Sequence, residues 1–596
     1  MTDHWVARLL APLALWVLLN GIDDLLIDVA ALCAWIQRKF SHNPRYRHPT
    51  EEELNAVPAR LMAVFVPLWK EHKVIQHMID NNVTRLNYSH VEFFVGAYPN
   101  DTLTIAAVQE AMKRYGNVHL AVAPHNGPTS KADNLNWIYH RMLAYERERL
   151  VRFEMVLTHD AEDLIDPDAL RWINYYAQHH DMVQIPVLAL KKPPVFLAHG
   201  VYCDEFAEFQ FKDMPARQLL GGFIPSNGVG TGFSRRALEM IAERYDDRIF
   251  ESACITEDYE NGFRVRRLGL PQKFIPIAIR HRRPIATREY FPDTFAKAVR
   301  QRTRWVMGIT LQSWQFHSLP ETLGQLYWFW RDRKALAGNL ITPLMNLLFM
   351  LGFSTWTWAQ TTHHAWQLAR EESSLYPIYA AGLAVQALQT SIRIVCSARI
   401  YGWLFACGVP VRAIVANAIN CAATVSAIWM YADARLHRRP LPWVKTEHAY
   451  PNRAALLKDR KRLGEVLLDL QWILPDRLEE AIASRPPDLR LGEHLVRLGL
   501  LTEQQLYKAL SLQNNLPLEK PAPEIVSIPI TRSLPARLVR QLRALPFRIA
   551  GGELYVAGSE LPTEPMQRDI RNFSSLAIRF QLVTPTQFEE LAVAYL

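Results

Sequence analysis

The sequence predicts an α/β domain embedded among transmembrane and interfacial helices, followed by a C-terminal domain of helical and α+β type. Three observations carry this prediction. Short apolar strands alternate with helix-like segments, long apolar stretches lie on both sides of that region, and a hexapeptide beginning Arg-Leu-Gly-Glu occurs twice near the end. The expected parts are an N-terminal transmembrane helix at 1–40, the α/β domain at 41–320, interfacial and transmembrane helices at 321–450, and the C-terminal domain at 451–596.

The composition fits a large protein with modest charge. A chain of 596 residues is long enough for about three to four domains, and 49% hydrophobic residues make a sizeable core possible. With a net charge of +8, we expect no nucleic-acid partner. Six cysteines without a CxxC pair argue against a zinc site or a disulfide framework. Arginine clusters suit phosphates, anionic lipid headgroups or a plain solvated surface, and they lie at 264–267, 280–283, 300–304 and 435–439.

The first apolar stretch, residues 9–36, is long enough to span about 30 Å of hydrocarbon. Asp23, Asp24 and Asp28 interrupt it, and carboxylates at mid-membrane are costly unless they face protein or water. They mark either a channel wall or a broken, partly interfacial helix. Basic residues follow the stretch and place that end in the cytoplasm, namely Arg38, Lys39, Arg45 and Arg47.

Two further spans are predicted at 335–358 and 375–396, joined by a loop that is poor in Lys and Arg. The stretch 400–432 is ambiguous because Pro, Arg and Asn residues interrupt it. If the domains before and after these helices are both cytoplasmic, an even number of crossings must separate them. Two crossings satisfy this condition when 400–432 lies along the inner interface. Tryptophans beside basic residues at 322–334 predict another interfacial helix.

The α/β region opens with an apolar strand at 63–67 and a helix-like segment. A second strand ends at Asp101. Because ligands of open α/β sheets collect beyond the carboxyl ends of strands, this carboxylate is placed to accept hydrogen bonds from a nucleobase. The alternative role is a helix N-cap, since Asn-Asp-x-Thr also suits a helix start.

Charged residues follow the next two strands. Lys131 opens a helix after a Gly-Pro loop and either holds a phosphate or base or is an exposed helix lysine. The fourth strand ends in Asp160-Ala-Glu162-Asp163. Two carboxylates at i and i+2 on a turn can face one divalent cation, which a diphosphate needs in order to bind and to leave. Asp160 and Glu162 are therefore candidate metal ligands, and Asp163 is the alternative to Glu162.

A glycine-rich segment at 221–232 comes next. It lacks the GK[ST] of a P-loop, but its small residues allow backbone to come close to a sugar. The alternative is a plain flexible loop.

The triplet Thr256-Glu257-Asp258 begins a helix for which Thr256 is a suitable N-cap. The pentapeptide Gln-Arg-Thr-Arg-Trp at 301–305 supplies Arg304, whose planar guanidinium suits bidentate phosphate binding. The alternative for this pentapeptide is an interfacial helix near the membrane.

The order and spacing of these pieces resemble the inverting family 2 glycosyltransferases, in particular the membrane-bound branch that includes cellulose and hyaluronan synthases. The resemblance covers roughly residues 55–320, and the QxxRW pentapeptide is its most specific part. It implies a GT-A-type fold, a UDP-sugar donor and Mg²⁺ or Mn²⁺. The family norm at the acidic turn is DxD, and this chain departs from it at Glu162.

The resemblance also implies a role for each motif. Asp258 matches the base that takes a proton from the acceptor hydroxyl, with Glu257 as the second catalytic carboxylate. Trp305 would form a stacking wall for the acceptor sugar, and the glycine-rich segment would line the pocket for both sugars. The residues assigned to the nucleotide-sugar are Asp101, Lys131, Asp160, Gln301, Arg304 and Trp305.

The clearest internal repeat begins at Arg462. Arg462-Leu-Gly-Glu-Val-Leu467 recurs as Arg490-Leu-Gly-Glu-His-Leu495. The second copy is similar to the cyclic-di-GMP-binding motif of the N-terminal domain of type II secretion and pilus-extension ATPases. The alternative is a structural helix-hairpin repeat that binds no ligand.

The second copy has every element of that motif, whereas the first departs at Gln471, Ile482 and Arg485. In a ligand complex, leucines would stack on the guanine bases, glycines would let backbone approach the phosphates, and arginines would pair with them. The residues assigned to cyclic-di-GMP are Arg462, Leu463, Gly464, Leu467, Leu478 and Ile482 in the first copy, and Arg490, Leu491, Gly492, Leu495, Gly499, Leu506, Leu510 and Gln513 in the second.

A family 2 transferase joined to such a tail resembles the inner-membrane family called bacteriophage adsorption protein B. This implies a multi-pass protein of the bacterial inner membrane with cytoplasmic catalytic and regulatory domains. It would extend an exported glycan from a UDP-sugar, by family analogy a UDP-N-acetylhexosamine, with cyclic-di-GMP as activator and an outer-membrane export partner. Because so few spans make a channel within one chain doubtful, a homodimer or a separate exporter would supply one. The rival interpretation is a catalytically silent cyclic-di-GMP sensor that recruits an export machine.

Overall fold

The structure, a computed structural model, describes residues 2–43, 46–280, 283–316, 322–363, 366, 376–439, 441, 450, 462–470, 472–514, 516–550 and 552–596. Arg45, Gln471 and most of the loop between the two predicted spans lie outside these residues. The chain divides into two compact units, one of residues 1–78 and 86–450 and one of residues 79–85 and 451–596.

The first unit contains a central sheet and several small strand pairs. Its strands are β1 (Met62–Pro67), β2 (Val91–Ala97), β3 (Val118–Val122), β4 (Met155–Thr158), β5 (Met182–Gln184), β6 (Val187–Ala189), β7 (Thr231–Ser234), β8 (Gln272–Phe274), β9 (Ile279–Arg280), β10 (Arg283–Pro284) and β11 (Thr287–Glu289). The seven-stranded sheet has the order β3-β2-β1-β4-β7-β5-β8.

The four strands β3, β2, β1 and β4 run parallel, while β7 is antiparallel to both β4 and β5. β1 lies between two neighbours, which explains why its apolar run is buried. The carboxyl ends of the parallel strands meet at one edge, so the residues after β1 and the acidic turn after β4 lie on the same side of the sheet. The predicted α/β fold is confirmed.

Helices cover the sheet and extend beyond it. Two π-helical segments, Phe209–Asp213 and Val306–Gln312, interrupt the α-helical structure. The α-helices are α1 (Thr2–Phe40), α2 (Glu51–Ala56), α3 (Ile75–Arg85), α4 (Thr102–Met112), α5 (Lys131–Arg149), α6 (Ala169–Tyr176), α7 (Leu197–Glu208), α8 (Met214–Leu219), α9 (Arg235–Arg244), α10 (Glu257–Arg267), α11 (Phe295–Trp305), α12 (Ser313–Phe316), α13 (Leu323–Thr362), α14 (Tyr376–Tyr401), α15 (Trp403–Ala406) and α16 (Val409–Leu436).

Within the described residues, α13, α14 and α16 are long and apolar enough to cross a membrane. The two predicted spans fall within α13 and α14. The segment predicted as an interfacial helix at 322–334 is helical and continues without a break into the predicted span as the first part of α13. Its interfacial position stays a prediction.

The three aspartates of α1 face protein partners. The helix is continuous over its whole length, so a broken helix does not explain them. Asp23 accepts a hydrogen bond from Tyr327 Oη at 2.6 Å and forms an ion pair with Arg331. Asp28 accepts one from Gln389 Nε2 at 2.6 Å. Buried partners of opposite charge or hydrogen-bonding capacity offset the cost of placing these acids in an apolar helix.

The second unit combines two helical hairpins with a small sheet. Strand Glu553–Gly558 lies between Ala544–Ala550, to which it is antiparallel, and Ala577–Leu582, to which it is parallel. This agrees with the α+β completion that the sequence predicts. Its helices are Leu463–Asp469, Pro475–Ala483, Leu491–Arg497, Glu503–Asn514, Ile528–Thr531, Ala536–Leu542, Glu564–Arg571 and Pro585–Tyr595, with a 3₁₀ turn at Pro523–Ile525.

Candidate active site

A cavity of about 860 Å³ opens at the carboxyl edge of the parallel strands. It brings together residues from three predicted motifs that are far apart in the sequence. It also extends to polar residues of the apolar helices, such as Gln386 and Asn417. The predicted site residues that line it are Lys131, Asp160, Glu162, Glu257, Asp258, Gln301, Arg304 and Trp305.

The three carboxylates of the acidic turn after β4 have different surroundings. Asp163 is fully buried, and its Oδ2 accepts hydrogen bonds from His159 Nδ1 at 2.7 Å and from the backbone N–H of Asp160 at 3.0 Å. Burial raises the pKa of Asp163 to about 6, although the interaction with His159 opposes the rise. Asp163 thus folds the turn, whereas Asp160 and Glu162 line the cavity.

Lys131 lies between the two groups of acids. Its Nζ is 2.6 Å from Asp160 Oδ1, at the start of α5. Burial lowers the pKa of Lys131, but the carboxylates of Asp160, Glu257 and Asp258 outweigh this and hold the pKa above its usual value. Its ammonium therefore stays charged in the centre of the site.

The two carboxylates at the start of α10 both line the cavity. Burial raises the pKa of Glu257 to about 7, and the neighbouring Asp258 adds to the rise. Burial also raises the pKa of Asp258, while the charges of Lys131 and Arg304 lower it. Thr256 occupies the predicted N-cap position, but its side chain makes no capping hydrogen bond, so helix capping does not account for the triplet.

The glycine-rich segment comes within contact of the triplet, as predicted for a site-lining loop. Gly228 has φ +78°, and a Cβ there would lie 2.6 Å from Asp258 Oδ2. A side chain at this position would displace the carboxylate and strain the backbone. The adjacent Ser226, Asn227 and Val229 line the cavity.

The QxxRW pentapeptide ends α11 and reaches the cavity through Gln301, Arg304 and Trp305. The ring of Trp305 packs against Tyr202 and Phe206, with centroid distances of 5.9 and 6.2 Å. Arg302, the remaining arginine, pairs instead with Glu205 at 2.7 Å. The pentapeptide therefore supplies one cation and one aromatic wall to the cavity.

The expected contact of Asp101 with a nucleobase is not supported by its position. Its Oδ2 accepts the backbone N–H of Lys70 at 2.6 Å, and its Oδ1 accepts that of Thr104 at 3.4 Å. It caps α4 and is absent from the described residues that line the cavity. The alternative N-cap role matches this geometry, since a short carboxylate held by two backbone donors is not free to turn toward a ligand.

Sequence reasoning missed many of the residues that line the cavity, among them Trp69, Tyr98 and Glu289. Trp69 follows β1 directly and meets the Tyr98 ring edge-to-face at 5.5 Å. Glu289 ends β11, and burial raises its pKa well above its usual range, with Asp163 and Glu162 adding to the rise. An aromatic residue at the carboxyl end of the first strand was the available signal for Trp69. No motif marks Glu289.

The donor set suits a divalent cation that is shared with a substrate. Among the residues that the structure describes, no three Asp, Glu, His or Cys side chains are arranged to hold a metal ion by themselves. Mg²⁺ is usually held by one or two carboxylates together with substrate phosphates, so Asp160 and Glu162 are a sufficient protein contribution. Carboxylates also outnumber cations among the described residues that line the cavity, with eleven Asp and Glu residues against six Lys and Arg residues.

The predicted cyclic-di-GMP residues divide into a buried and an exposed set. Leu467, Leu478, Leu495 and Leu506 are buried in the hairpin cores and do not present the surface that was expected to stack on guanine. The same helical spacing that suggested a ligand surface serves hairpin packing. Of the assigned side chains, Arg462, Ile482 and Arg490 are exposed.

The two RLG glycines have a packing role. A Cβ on Gly492 would lie 2.5 Å from Leu506 Cδ1, and one on Gly464 would lie 3.0 Å from Leu478 Cδ2. Both copies therefore use glycine where two helices come close, so the expectation that these glycines admit phosphates is not supported. Arg490 Nη1 is 3.1 Å from Glu560.

Comparison with known proteins identifies both parts of the chain. Residues 58–308 match the family described as glycosyltransferase like family 2, and residues 514–595 match the MshEN domain. Bacteriophage adsorption protein B of Escherichia coli K12 is 33% identical over 575 residues, which cover 93% of this chain and 77% of that protein. The chain belongs to the bacteriophage adsorption protein B family.

Two other similarities cover parts of this adsorption protein B family member. The type IV pilus assembly ATPase PilB of Thermus thermophilus is 36% identical over 138 residues, 22% of this chain and 15% of that protein. The mannosyltransferase of Pyrobaculum calidifontis, solved with GDP-Man and Mn²⁺, is 16% identical and covers 72% of this chain and 99% of its own, with a TM-score of 0.42.

The chain is thus a family 2 glycosyltransferase with candidate membrane helices and a C-terminal MshEN domain. The transferase match contains every cavity motif described above. The MshEN match begins at residue 514, after the second RLG copy, so the assignment of ligand contacts to the two copies stays a prediction.

Proposed function

We propose that this protein is an inverting, metal-dependent glycosyltransferase of the bacterial inner membrane that uses a UDP-sugar to extend an exported glycan and is activated by cyclic-di-GMP. One observation carries the catalytic part. A single cavity holds a metal-binding pair of carboxylates, a second pair suited to base catalysis, and an arginine suited to pyrophosphate.

The donor half of the cavity suits a nucleoside diphosphate sugar. Trp69 and Tyr98 offer aromatic surface for the base, and Arg304 offers a planar cation for the pyrophosphate. Asp160 and Glu162 would hold Mg²⁺ or Mn²⁺, which neutralises charge on the diphosphate when it is bound. Lys131, now paired with Asp160, is close enough to this centre to hold a phosphate as well.

Transfer needs one base beside the anomeric carbon. The acceptor hydroxyl loses its proton to Asp258 while its oxygen forms a bond to the anomeric carbon, and the bond from that carbon to the diphosphate breaks with its electron pair leaving on the nucleotide. Attack opposite to the leaving group inverts the anomeric configuration. Asp258 is held for this step by the N–H of Tyr259 at 2.7 Å and by the close approach of Gly228.

The acceptor half of the cavity suits a glycan. Trp305 supplies an aromatic wall, and the cavity continues to Thr342, Gln386 and Asn417 on the apolar helices. Amides and hydroxyls are uncharged hydrogen-bonding groups that match the hydroxyls of a sugar. A growing chain that leaves in this direction moves toward the membrane, as export requires.

The contacts of α16 support a cytoplasmic location for both domains. Catalytic-domain residues touch this helix from Arg412, which is 2.6 Å from Asp204, to Tyr431, whose hydroxyl accepts from Gln315 Nε2 at 2.6 Å. These points are about 28 Å apart along the helix, nearly the thickness of a bilayer core. A crossing α16 would carry the charged catalytic domain into hydrocarbon, so we place it along the inner interface, where its other face exposes apolar side chains such as Val425 and Trp429.

With α16 on the surface, α13 and α14 provide an even number of crossings between the transferase and the MshEN domain. The transferase and the MshEN domain then both face the cytoplasm, where cyclic-di-GMP is made. Arg490 and Arg462 are the exposed cations proposed for its phosphates. An outer-membrane export partner and a homodimer belong to the same proposal by family analogy alone.

Membranes that contain the protein test the proposal when they are incubated with UDP-N-acetylhexosamines and other UDP-sugars, with and without cyclic-di-GMP. We expect release of UDP that requires Mg²⁺ or Mn²⁺ and increases with cyclic-di-GMP. Arg490→Ala should weaken cyclic-di-GMP binding in calorimetry and shift activation to higher concentrations. A catalytically silent scaffold, the rival function, would bind cyclic-di-GMP and release no UDP with any donor.

A further inference from the structure

We propose that Gln312 and Gly308 are positioning residues that tie the catalytic triplet to the helix of the QxxRW motif. This inference rests on the proposed function, since it concerns how the base Asp258 is held relative to Arg304. Neither residue lines the cavity among those described there, and neither belongs to a motif that the sequence suggested. Both lie on the π-helical segment Val306–Gln312 that directly follows Trp305.

Gln312 holds the segment that leads into α10. Its Oε1 accepts the backbone N–H of Ile255 at 3.0 Å, and its Nε2 donates to the carbonyl oxygen of Ala253 at 2.7 Å. The side chain is almost fully buried, so water does not compete for these bonds. The side-chain amide of Gln312 therefore fixes the backbone on both sides of Cys254. Asp258 lies only a few residues further along the chain.

Gly308 lets the same π-helical segment come against the triplet itself. A Cβ at this position would lie 2.4 Å from Thr256 Oγ1, 2.6 Å from Thr256 Cγ2 and 2.9 Å from Thr256 Cβ. These distances are too short for any real side chain. The absence of a Cβ is thus what allows the π-helical backbone to pack directly against the Thr256 side chain.

These contacts connect the QxxRW residues to the segment that carries the base. Gln301, Arg304 and Trp305 face the cavity from α11. Over the next two turns the continuous helix brings Gly308 to the triplet and Gln312 to the segment that precedes it. The groups for the leaving pyrophosphate and for the base are therefore fixed to one rigid element. A π-helical turn contains about one more residue than an α-helical turn, so the end of this segment, at Gln312, is rotated relative to Arg304 compared with an unbroken α-helix.

The test replaces Gln312 with methionine, which has a similar shape but cannot make the two hydrogen bonds. Gln312→Met should lower kcat by about tenfold to a hundredfold, because small misplacements of a reacting group have effects of that size. UDP affinity should be unchanged, since Arg304 and Lys131 keep their places. The acidic limb of the pH profile of kcat should also move, because the surroundings of Asp258 change.

Gln315→Met is the matched control. Gln315 lies on the same helix, is exposed, and bonds to Tyr431 Oη rather than to the 253–258 segment. It should retain the full kcat and the wild-type pH profile. Equal kcat and equal profiles in the two variants would overturn the proposal.

The Gly308 contact has its own test by compensation. Gly308→Ala should lower kcat even though alanine is the better helix former. Adding Thr256→Ala removes the two nearest side-chain atoms. The loss of kcat caused by Gly308→Ala should therefore be smaller in the Thr256→Ala background than in the wild-type background, which is the recovery that the double variant measures. No recovery, in double-variant protein that melts at the wild-type temperature, would contradict the contact.

Failure of this inference is distinguishable from failure of the proposed function. If Gln312→Met keeps full kcat while Asp258→Asn is inactive, the transferase assignment stands and the positioning role falls. If Asp258→Asn transfers sugar at the wild-type rate, the base assignment itself is wrong and the positioning role, which depends on it, falls with it.

Discussion

Two short acidic segments face the same cavity, yet they are built differently. In the turn after β4, Asp163 is fully buried and bonded to His159 and to the backbone, so only its neighbours Asp160 and Glu162 line the cavity. At the start of α10, both Glu257 and Asp258 line it. In the first segment one acid folds the turn that presents the others.

Carboxylates that are neighbours in the sequence can therefore have different roles. The hydrogen bonds that already occupy an acid decide whether it can serve a substrate. Four predictions follow from the contrast, and the first concerns an acid that faces the cavity.

Asp258→Asn should have the largest effect, a loss of about 10³-fold or more in kcat, because an amide cannot accept the acceptor's proton. The affinity for UDP should be nearly unchanged. Asp246→Asn is a suitable control, since that carboxylate is highly exposed. Transfer rates measured with radiolabelled donor check this, and an active Asp258→Asn enzyme would remove the distinction between the two acidic segments.

Asp163→Asn should act on stability before it acts on chemistry. It removes the charge from a buried carboxylate that accepts hydrogen bonds from His159 Nδ1 and from the Asp160 N–H, and a hydrogen bond to a charged group contributes about 1.5–3 kcal/mol. We expect a lower melting temperature in detergent, with kcat of the folded fraction much less affected than in Asp258→Asn. A variant with wild-type stability and lost metal binding would instead make Asp163 a metal ligand.

Asp160→Asn should behave in the opposite way. It removes a cavity-facing carboxylate and leaves the His159–Asp163 contact intact. Lys131 loses one partner but stays close to Glu257 and Asp258, so the melting temperature should fall less than in Asp163→Asn. Mn²⁺ binding in the presence of UDP, followed by electron paramagnetic resonance, should weaken by about tenfold to a hundredfold, with Glu162→Gln as the companion variant. Unchanged Mn²⁺ affinity in both would contradict the metal assignment.

The smallest effect is expected in the pH profile. Because burial and Asp258 raise the pKa of Glu257 to about 7, the pair is partly protonated near neutral pH. A protonated base cannot accept a proton, so kcat should rise with pH through this range. Glu257→Gln removes one negative charge beside Asp258 and should lower the pKa of the base, so more of the maximal rate remains at pH 6 than in the wild type. If the acidic limb of the pH profile of kcat lies at the same pH in Glu257→Gln as in the wild type, the two carboxylates do not interact.

The sequence allowed the fold and the motifs that meet in the cavity to be predicted, because strand ends and motifs can be read locally. Asp160, Asp258 and Arg304 each stand at a strand end or a helix terminus that apolar patterning marks. The parallel order of β1 and β4 places Asp160 beside the residues that follow β1, whereas Asp258 and Arg304 reach the cavity from α10 and α11.

Other residues depend on contacts that no pattern encodes. Asp101 fits a ligand site and an N-cap equally well in sequence, and only the backbone N–H groups of Lys70 and Thr104 distinguish between them. The leucines of the RLG repeat would have the same spacing whether they pack the hairpin or form a ligand surface, so the spacing cannot distinguish the two roles. Gln312 carries no motif at all, since its partners are backbone atoms more than fifty residues earlier.

The central claim is inverting transfer by the cavity that contains Asp258. Its most direct test is the anomeric configuration of the product formed from an α-linked UDP-sugar, determined by NMR, with Asp258→Asn as the blank. The account predicts a β-linked product that requires a divalent cation and is missing from the variant. An α-linked product, or the same product from Asp258→Asn, would contradict it.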